Sequence, residues 1–298
     1  MTRSSSATSA AIEQLAATLG RAVRGSSPVH GGCITETRRL DLDDGGTVFA
    51  KFDGSAPSGF FESEATGLGW LRAAGALRVP DVLAVGEHFH ALEWVEPGRR
   101  HAHTDDELGR GLAQLHLAGA MQFGRPPSAS AHAYLATLPV ADGPAATWGE
   151  FWIEGRVRPL AAIAVDRGEL PPAALRSIDA LADRIDEVAG PPEAPARVHG
   201  DLWAGNVHVD VSGNPWLVDP SAHGGHRETD LAMLALFGGV DVGRVIQAYE
   251  EVTPLGDGWR DRVSLHQLAP LLAHVALFGR GYIDATRHAL EVYVTTRW

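Results

Sequence analysis

Cysteine is all but missing from this chain: Cys33 stands alone among 298 residues. An intrachain disulfide and a four-thiolate zinc centre are both excluded. Basic residues are in deficit too, with 25 Lys and Arg against 37 Asp and Glu and a formal net charge of -12. A phosphate backbone demands a basic surface, so nucleic acid is excluded as the main partner. No stretch reaches the ~18–20 consecutive apolar residues of a membrane span. The most apolar one, 265–278, is interrupted by His266, Gln267, Pro270 and His274 and reads as a buried helix. The small, polar start (MTRSSSATSA) runs into a helical pattern that contains Glu13 and Gln14, a poor export signal. A cytoplasmic protein with no membrane partner is therefore expected. There is no GxxxxGK[ST] phosphate loop, no internal repeat and no low-complexity tract. What is present is 45% hydrophobic residues with 8 Trp and 9 Phe, enough for a sizeable core.

Residues 29–52 read as β structure, with Asp43-Asp44-Gly45-Gly46 as a turn and 47–52 as a strand. Gly31-Gly32 marks a second tight turn. The spacing predicts a helix over 61–74 with Glu64, Leu68 and Leu71 on one side. Short strands are expected at 82–85 and 91–95, after which Glu96-Pro97-Gly98 forms a hinge. Beyond it the pattern turns helical. Leu108, Leu112, Leu115 and Leu117 belong to one helix; Leu175, Ile178, Leu181, Ile185 and Val188 mark another, stopped by Gly190-Pro191-Pro192. A short β element and helices near 230–237, 241–251, 259–278 and 283–296 follow. The fold class is α+β and bilobal: a small β-rich lobe over 1–96 and a larger, mainly helical lobe over 97–298.

The chemistry concentrates in Val198-His199-Gly200-Asp201-Leu202-Trp203-Ala204-Gly205-Asn206-Val207. Asp201 and Asn206 are five apart, as are the base and the metal-binding Asn of a kinase catalytic loop. Strands 207–211 and 214–218, joined by a two-residue turn at Ser212-Gly213, would pair 211 with 214. Counting outward, Asn206 then meets Asp219 beside Asp201. Phosphoryl transfer needs such a set. A hard cation such as Mg²⁺ takes oxygen ligands, and transfer to a hydroxyl needs a group that orients it and takes its proton. Asp201 suits the base; Asn206 and Asp219 suit the metal. Lys51 can carry positive charge to the phosphates, with Glu64 on the next helix fixing it and Phe49, on the same strand face, packing on the adenine. A strand lysine alone is more often a solvated edge residue; Glu64 and the downstream acids single this one out. His223 and His226 have no third metal ligand at a useful spacing. His199 reads as a structural hydrogen-bonding residue and His116 as part of the helical core.

These motifs resemble those of the fructosamine kinase (ketosamine-3-kinase) family, within the protein-kinase-like and aminoglycoside phosphotransferase-like superfamily. The resemblance runs from Gly31-Gly32-Cys33-Ile34 to Phe278-Gly279-Arg280-Gly281-Tyr282. It includes Trp148-Gly149-Glu150-Phe151-Trp152 with Arg156, HGDLWAGN at 199–206, and Gly225-His226-Arg227-Glu228-Thr229-Asp230-Leu231-Ala232-Met233. It implies a protein-kinase-like fold with ATP in the cleft between the lobes. Glu93, Trp94 and Val95 would meet the adenine, Gly31, Gly32, Cys33 and Ile34 would cover the phosphates through backbone N–H groups, and Lys51 and Glu64 would form the ion pair. The implied reaction is ATP- and Mg²⁺-dependent phosphorylation of the 3-hydroxyl of a ketoamine, on a small amine or a glycated protein lysine. The product breaks down and frees the amine, a repair role. Trp203 is implied to stack on the sugar, a core position being the alternative, and Asp230 to brace the catalytic loop. Ser221 departs from the Ala expected after Asp219-Pro220. Two other readings stand beside this one. One is an aminoglycoside- or choline-type phosphotransferase, equally suited to an acidic protein; the other is a nucleotide-binding pseudokinase, opposed by retention of Lys51, Asp201, Asn206 and Asp219. Cys33 is implied to be redox-sensitive, linking two chains as a dimer, or else is a small buried residue of a monomer.

Overall fold

The computed structural model describes residues 2–29, 35–124, 133–141 and 143–295; the Gly31, Gly32, Cys33 and Ile34 loop lies outside them. The first lobe comprises α1 (Thr2–Leu19), β1 (Val23–Pro28), β2 (Glu36–Leu42), β3 (Thr47–Phe52), α2 (Phe60–Arg72), β4 (Val82–Gly86) and β5 (Phe89–Glu93). The strands form one antiparallel sheet in the order β1-β2-β3-β5-β4. Side chains alternate across it. Val48, Ala50 and Phe52 join Leu40, Leu42, Phe89 and Ala91 in an apolar layer covered by Leu15 of α1. Lys51, between them in sequence, lies on the opposite face and reaches Glu64 of α2. β1 lies ahead of the expected β region: Gly25-Ser26-Ser27 has no apolar alternation, and the strand is held by its backbone ladder to β2. β5 ends two residues earlier than expected, because Glu93 is its last pair with β3 and its carboxylate accepts the N–H of Asp81 at 2.7 Å.

The second lobe holds α3 (Ala102–Leu117), the hairpin β6 (Ala133–Leu135) and β7 (Leu138–Val140), α4 (Trp148–Trp152), a π-helical turn (Ile153–Val157), and α5 (Arg158–Asp166). Next come α6 (Ala173–Ala182), α7 (Ile185–Val188), β8 (Ala196–Val198), β9 (Val207–Val209), β10 (Pro215–Leu217) and β11 (His223–Gly225). The chain closes with α8 (Glu228–Phe237), α9 (Val242–Glu250), α10 (Trp259–Phe278) and α11 (Ile283–Glu291). The single helix expected across 175–188 is two. Arg184 leaves helical geometry at φ -120° and ψ 6°, and its guanidinium reaches the carbonyl of Tyr293 and the carboxylate of Glu187, both at 2.9 Å. One apolar core crosses the hinge: Leu68, Leu71 and Leu92 pack with Leu108, Leu112 and Leu115 of α3 and with Leu202, Val207, Leu217 and Tyr249. A second surrounds α10 and includes Trp148, Trp152, Leu265 and Leu272. Among the described residues no helix is long and apolar enough to cross a membrane.

Candidate active site

Between β8 and β9 the chain turns sharply. His199 is fully buried, and its N–H and that of Gly200 donate to the two carboxylate oxygens of Asp230 at 2.7 and 2.9 Å. His199 Nε2 lies 2.8 Å from the Val218 carbonyl. Asp230 is itself 3.2 Å from Nε2 of His116, whose Nδ1 meets the Tyr249 hydroxyl at 2.9 Å. Burial opposes the charge of Asp230, but His116, His199 and the backbone donors hold its pKa below the ordinary value. Gly200 takes φ +81°, and a Cβ there would stand 2.2 Å from the Ser221 carbonyl, so the turn requires glycine.

The turn delivers Asp201 to a cavity of about 600 Å³ that Lys51, Glu64, Trp203, Asn206 and Asp219 also line. The Asn206 amide donates to the carbonyl and carboxylate of Asp201 at 2.8 and 3.3 Å and to the Asp219 carbonyl at 3.4 Å. The hairpin behind it is one residue out of the expected register. Leu217 faces Val207, the Val218 N–H donates to the Asn206 carbonyl, and the connection is three residues, 211–213. Gly213 at φ +84° and the Asp210 carboxylate, which accepts the N–H groups of Ser212 and Asn214 at 2.9 Å each, favour this bulged loop. Asn206 therefore pairs with Val218, and Asp219 lies one residue past the ladder. Its φ of +56° is uncommon for a residue with a side chain. Its carboxylate is nonetheless 2.5 Å from Lys51 Nζ, which also bonds Glu64 at 2.7 Å.

Charge in this cluster is set by burial against neighbours. Burial opposes the Lys51 ammonium, yet Asp219 and Glu64 outweigh it and hold the pKa above its ordinary value. Burial likewise opposes the Glu64 carboxylate, while Lys51 and His90 pull it below the usual carboxylate range. At Asp201 burial prevails: the carboxyl is pushed up to about 7, and the charge of Asp219 adds to the rise. Asn206 Oδ1 and the second carboxylate oxygen of Asp219 accept no hydrogen bond among the described residues. Both are hard oxygen donors, the type Mg²⁺ takes.

Phe49, Glu93, Trp94 and Val95 are not among the residues lining this cavity. Phe49 packs on the central core. Glu93 faces a separate groove of about 850 Å³ behind the hinge, where Arg72 pairs with Asp81 and Arg78 with Glu107. Trp94 donates to Glu96 at 2.8 Å beneath the Arg39 guanidinium, and the Val95 carbonyl is 3.1 Å from His208 Nε2. Conversely, the spacing pattern misses the far wall of the cavity: Tyr134, Met233, Phe237, His274, Phe278 and Tyr282. Ser221 also lines it, and its hydroxyl donates to the Tyr134 carbonyl at 2.7 Å. Helices α8 and α10 bury residues, polar ones among them, on nearly every side, so periodicity does not separate their cavity face from their core face.

The segment at 225–233 builds a buried ionic network. Arg262 grips both oxygens of Glu228, at 2.6 and 2.9 Å, and His266 Nε2 lies 3.3 Å from the same carboxylate. A third potential metal ligand for His226 does exist, since His266 comes in from α10 to stand with His226 and Glu228. Tertiary packing supplies what local spacing lacked. The group is nonetheless filled: Arg262 occupies Glu228, and the Glu228 N–H donates to His226 Nδ1 at 3.2 Å, leaving the proton on Nε2.

Burial, with the positive neighbours Arg262 and Arg227 and the adjacent His266, pushes His226 down to about 3. Between pH 6.5 and about 3 the unfolded chain therefore binds a proton that the native chain refuses, so stability falls as acid is added. The loss from this residue is about 2 kcal/mol at pH 5. Calorimetry at pH 7 and pH 5 should show a lower Tm at pH 5, and a smaller drop in His226→Asn. An equal drop in the variant would clear His226 of the effect.

The fructosamine kinase family model matches residues 7–296. A probable ketoamine kinase of Enterococcus faecium is 34% identical over 269 residues, 89% of this chain and 93% of that protein. A chloroplastic protein-ribulosamine 3-kinase of Oryza sativa subsp. indica is 29% identical over 295 residues, 95% of this chain and 83% of its own. A solved structure from Thermobifida fusca, assigned as a fructosamine-3-kinase, matches with a TM-score of 0.84 at 41% identity over 94% of this chain and 98% of that one. A macrolide 2'-phosphotransferase, 16% identical over 98% of this chain and 97% of its own with a TM-score of 0.61, shares the fold. With the two-lobed kinase-like architecture and these matches together, the chain belongs to the fructosamine kinase family and is an ATP-dependent phosphotransferase.

Proposed function

We propose that this chain transfers the γ-phosphoryl group of ATP, with Mg²⁺, to the 3-hydroxyl of a ketoamine on a small amine or a protein lysine, and so serves deglycation. Support comes from one juxtaposition: Asp201, Asn206, Asp219 and Lys51 open on a single cavity beside Trp203. Asp201 accepts the proton of the sugar hydroxyl as its oxygen bonds to the γ-phosphorus and the bond to the β-phosphate oxygen breaks. A carboxyl near neutral pKa suits that transfer. Asn206 holds the Asp201 carboxylate in place through its amide hydrogens. Lys51, steadied by Glu64, meets phosphate oxygens with a permanent positive charge. Asn206 Oδ1 and Asp219 would hold the divalent cation, which would supply further neutralisation of the phosphates. Trp203 is 36% exposed, too open for a core residue and available to a sugar face.

Purified protein with ATP and Mg²⁺ should phosphorylate fructosyl- or ribulosyl-amines, read by ADP release and by phosphorus NMR of the product. Turnover of aminoglycosides or choline without any ketoamine turnover would assign the site to another acceptor. Nucleotide binding without turnover of any acceptor would favour the pseudokinase.

A further inference from the structure

The far wall of the cavity is an aromatic basin. Pro270, His274 and Phe278 recur every four residues on α10 and present one stripe to it, met by Phe237 of α8, by Tyr282 and by Trp203. The His274 ring lies at the centre, with ring centroids of Phe237, Tyr282 and Phe278 at 4.6, 4.9 and 5.4 Å. Trp203 meets Phe237 edge-on at 6.3 Å. Trp203, Phe237 and Phe278 are 36%, 36% and 50% exposed, an apolar surface concentrated where an acceptor would cover it.

The state of His274 follows from its partner. Nδ1 is 2.8 Å from the Pro270 carbonyl, which can only accept, so Nδ1 carries the proton and Nε2 keeps a lone pair. Nε2 makes no hydrogen bond among the described residues. Burial lowers the pKa of the ring, which keeps it neutral. The charged side chains described on the cavity wall are Lys51, Glu64, Asp201 and Asp219. The single cation of that set is committed to two carboxylates. Among the described residues a carboxylate or phosphate on the acceptor's amine arm finds no counter-charge here beyond Lys51, already paired with Glu64 and Asp219. A protonated secondary amine finds a neutral acceptor and aromatic faces.

We propose that His274 Nε2 and the rings of Phe237, Phe278 and Tyr282 form the subsite for the protonated nitrogen of the ketoamine, and that the site selects ketoamines whose amine arm bears no anion. This subsite rests on the ketoamine reaction proposed above and adds its charge selectivity. His274 binds rather than reacts; it is a specificity residue.

Fructosyl-propylamine and fructosyl-β-alanine test it, because they differ by a terminal methyl against a carboxylate while both amines are protonated at neutral pH. The wild type should favour the propylamine compound in kcat/KM by about tenfold or more. His274→Ala should raise KM for fructosyl-propylamine about tenfold and leave KM for ATP within about twofold, with His274→Gln, which retains an acceptor oxygen, recovering most of the loss. His274→Lys should narrow or invert the preference between the two compounds. Equal kcat/KM for both in the wild type, or a His274→Ala effect as large on ATP as on the ketoamine, overturns the subsite while the reaction stands. Turnover of no ketoamine overturns the reaction itself.

Discussion

Asp201→Asn should lower kcat by about 10²–10⁴-fold, the range for loss of a positioned general base, while nucleotide binding persists. The substitution preserves shape. The oxygen of the new carboxamide could still meet the amide of Asn206, now 3.3 Å from the Asp201 carboxylate, and the backbone brace from Asp230 does not touch the side chain. What disappears is the capacity to take a proton. Removing a carboxylate beside Asp219 also relieves repulsion toward the phosphates, so the affinity for ATP should hold or rise. Steady-state kinetics with a ketoamine, paired with calorimetric titration of ATP, separates the two effects. A variant retaining more than a tenth of wild-type kcat would remove Asp201 from the role of base.

The parts of this site that local sequence announces are those whose chemistry is local. The five-residue interval from Asp201 to Asn206 is spanned by one turn, so its geometry follows from the spacing. Lys51 and Glu64 sit on a strand and the helix that follows it, and α2 crossing the sheet brings them to 2.7 Å. The hairpin register was not legible in the same way. It depends on Asp210 folding its carboxylate over the loop and on Gly213 adopting a positive φ, and together these add a residue to the turn. Asp219, one residue past the ladder and in a left-handed backbone conformation, still reaches Lys51. The aromatic basin was hidden for a different reason. His274 and Phe278 lie on a helix whose other faces are buried as well, so the line between core and cavity is drawn by neighbours far away in sequence. The partner of Glu228 was equally hidden, since Arg262 stands 34 residues on and arrives only when α10 packs on α8.

That last pair carries the largest stability effect. Arg262→Ala should destabilise the protein by about 3–5 kcal/mol, because it leaves a buried carboxylate without its bidentate partner. Both side chains are nearly sealed from solvent, at 8% and 3% exposure. Burial would raise the pKa of Glu228; His266 and Arg262 reverse that and bring it to about 2, a state that cannot survive loss of the guanidinium unchanged. The penalty is large beside the roughly 5–15 kcal/mol that separates a typical folded chain from its unfolded state. Arg262 also donates to the Asp257 carbonyl at 2.9 Å, which tethers the start of α10, so some loss is not electrostatic. A double-mutant cycle isolates the ionic part: Glu228→Gln with Arg262→Met should cost less than the two single changes added together, by more than about 1 kcal/mol. Chemical denaturation of the four proteins measures it. Strict additivity would mean that the pair is held by its surroundings and contributes no coupling, in which case Arg262 acts through packing and its tether alone.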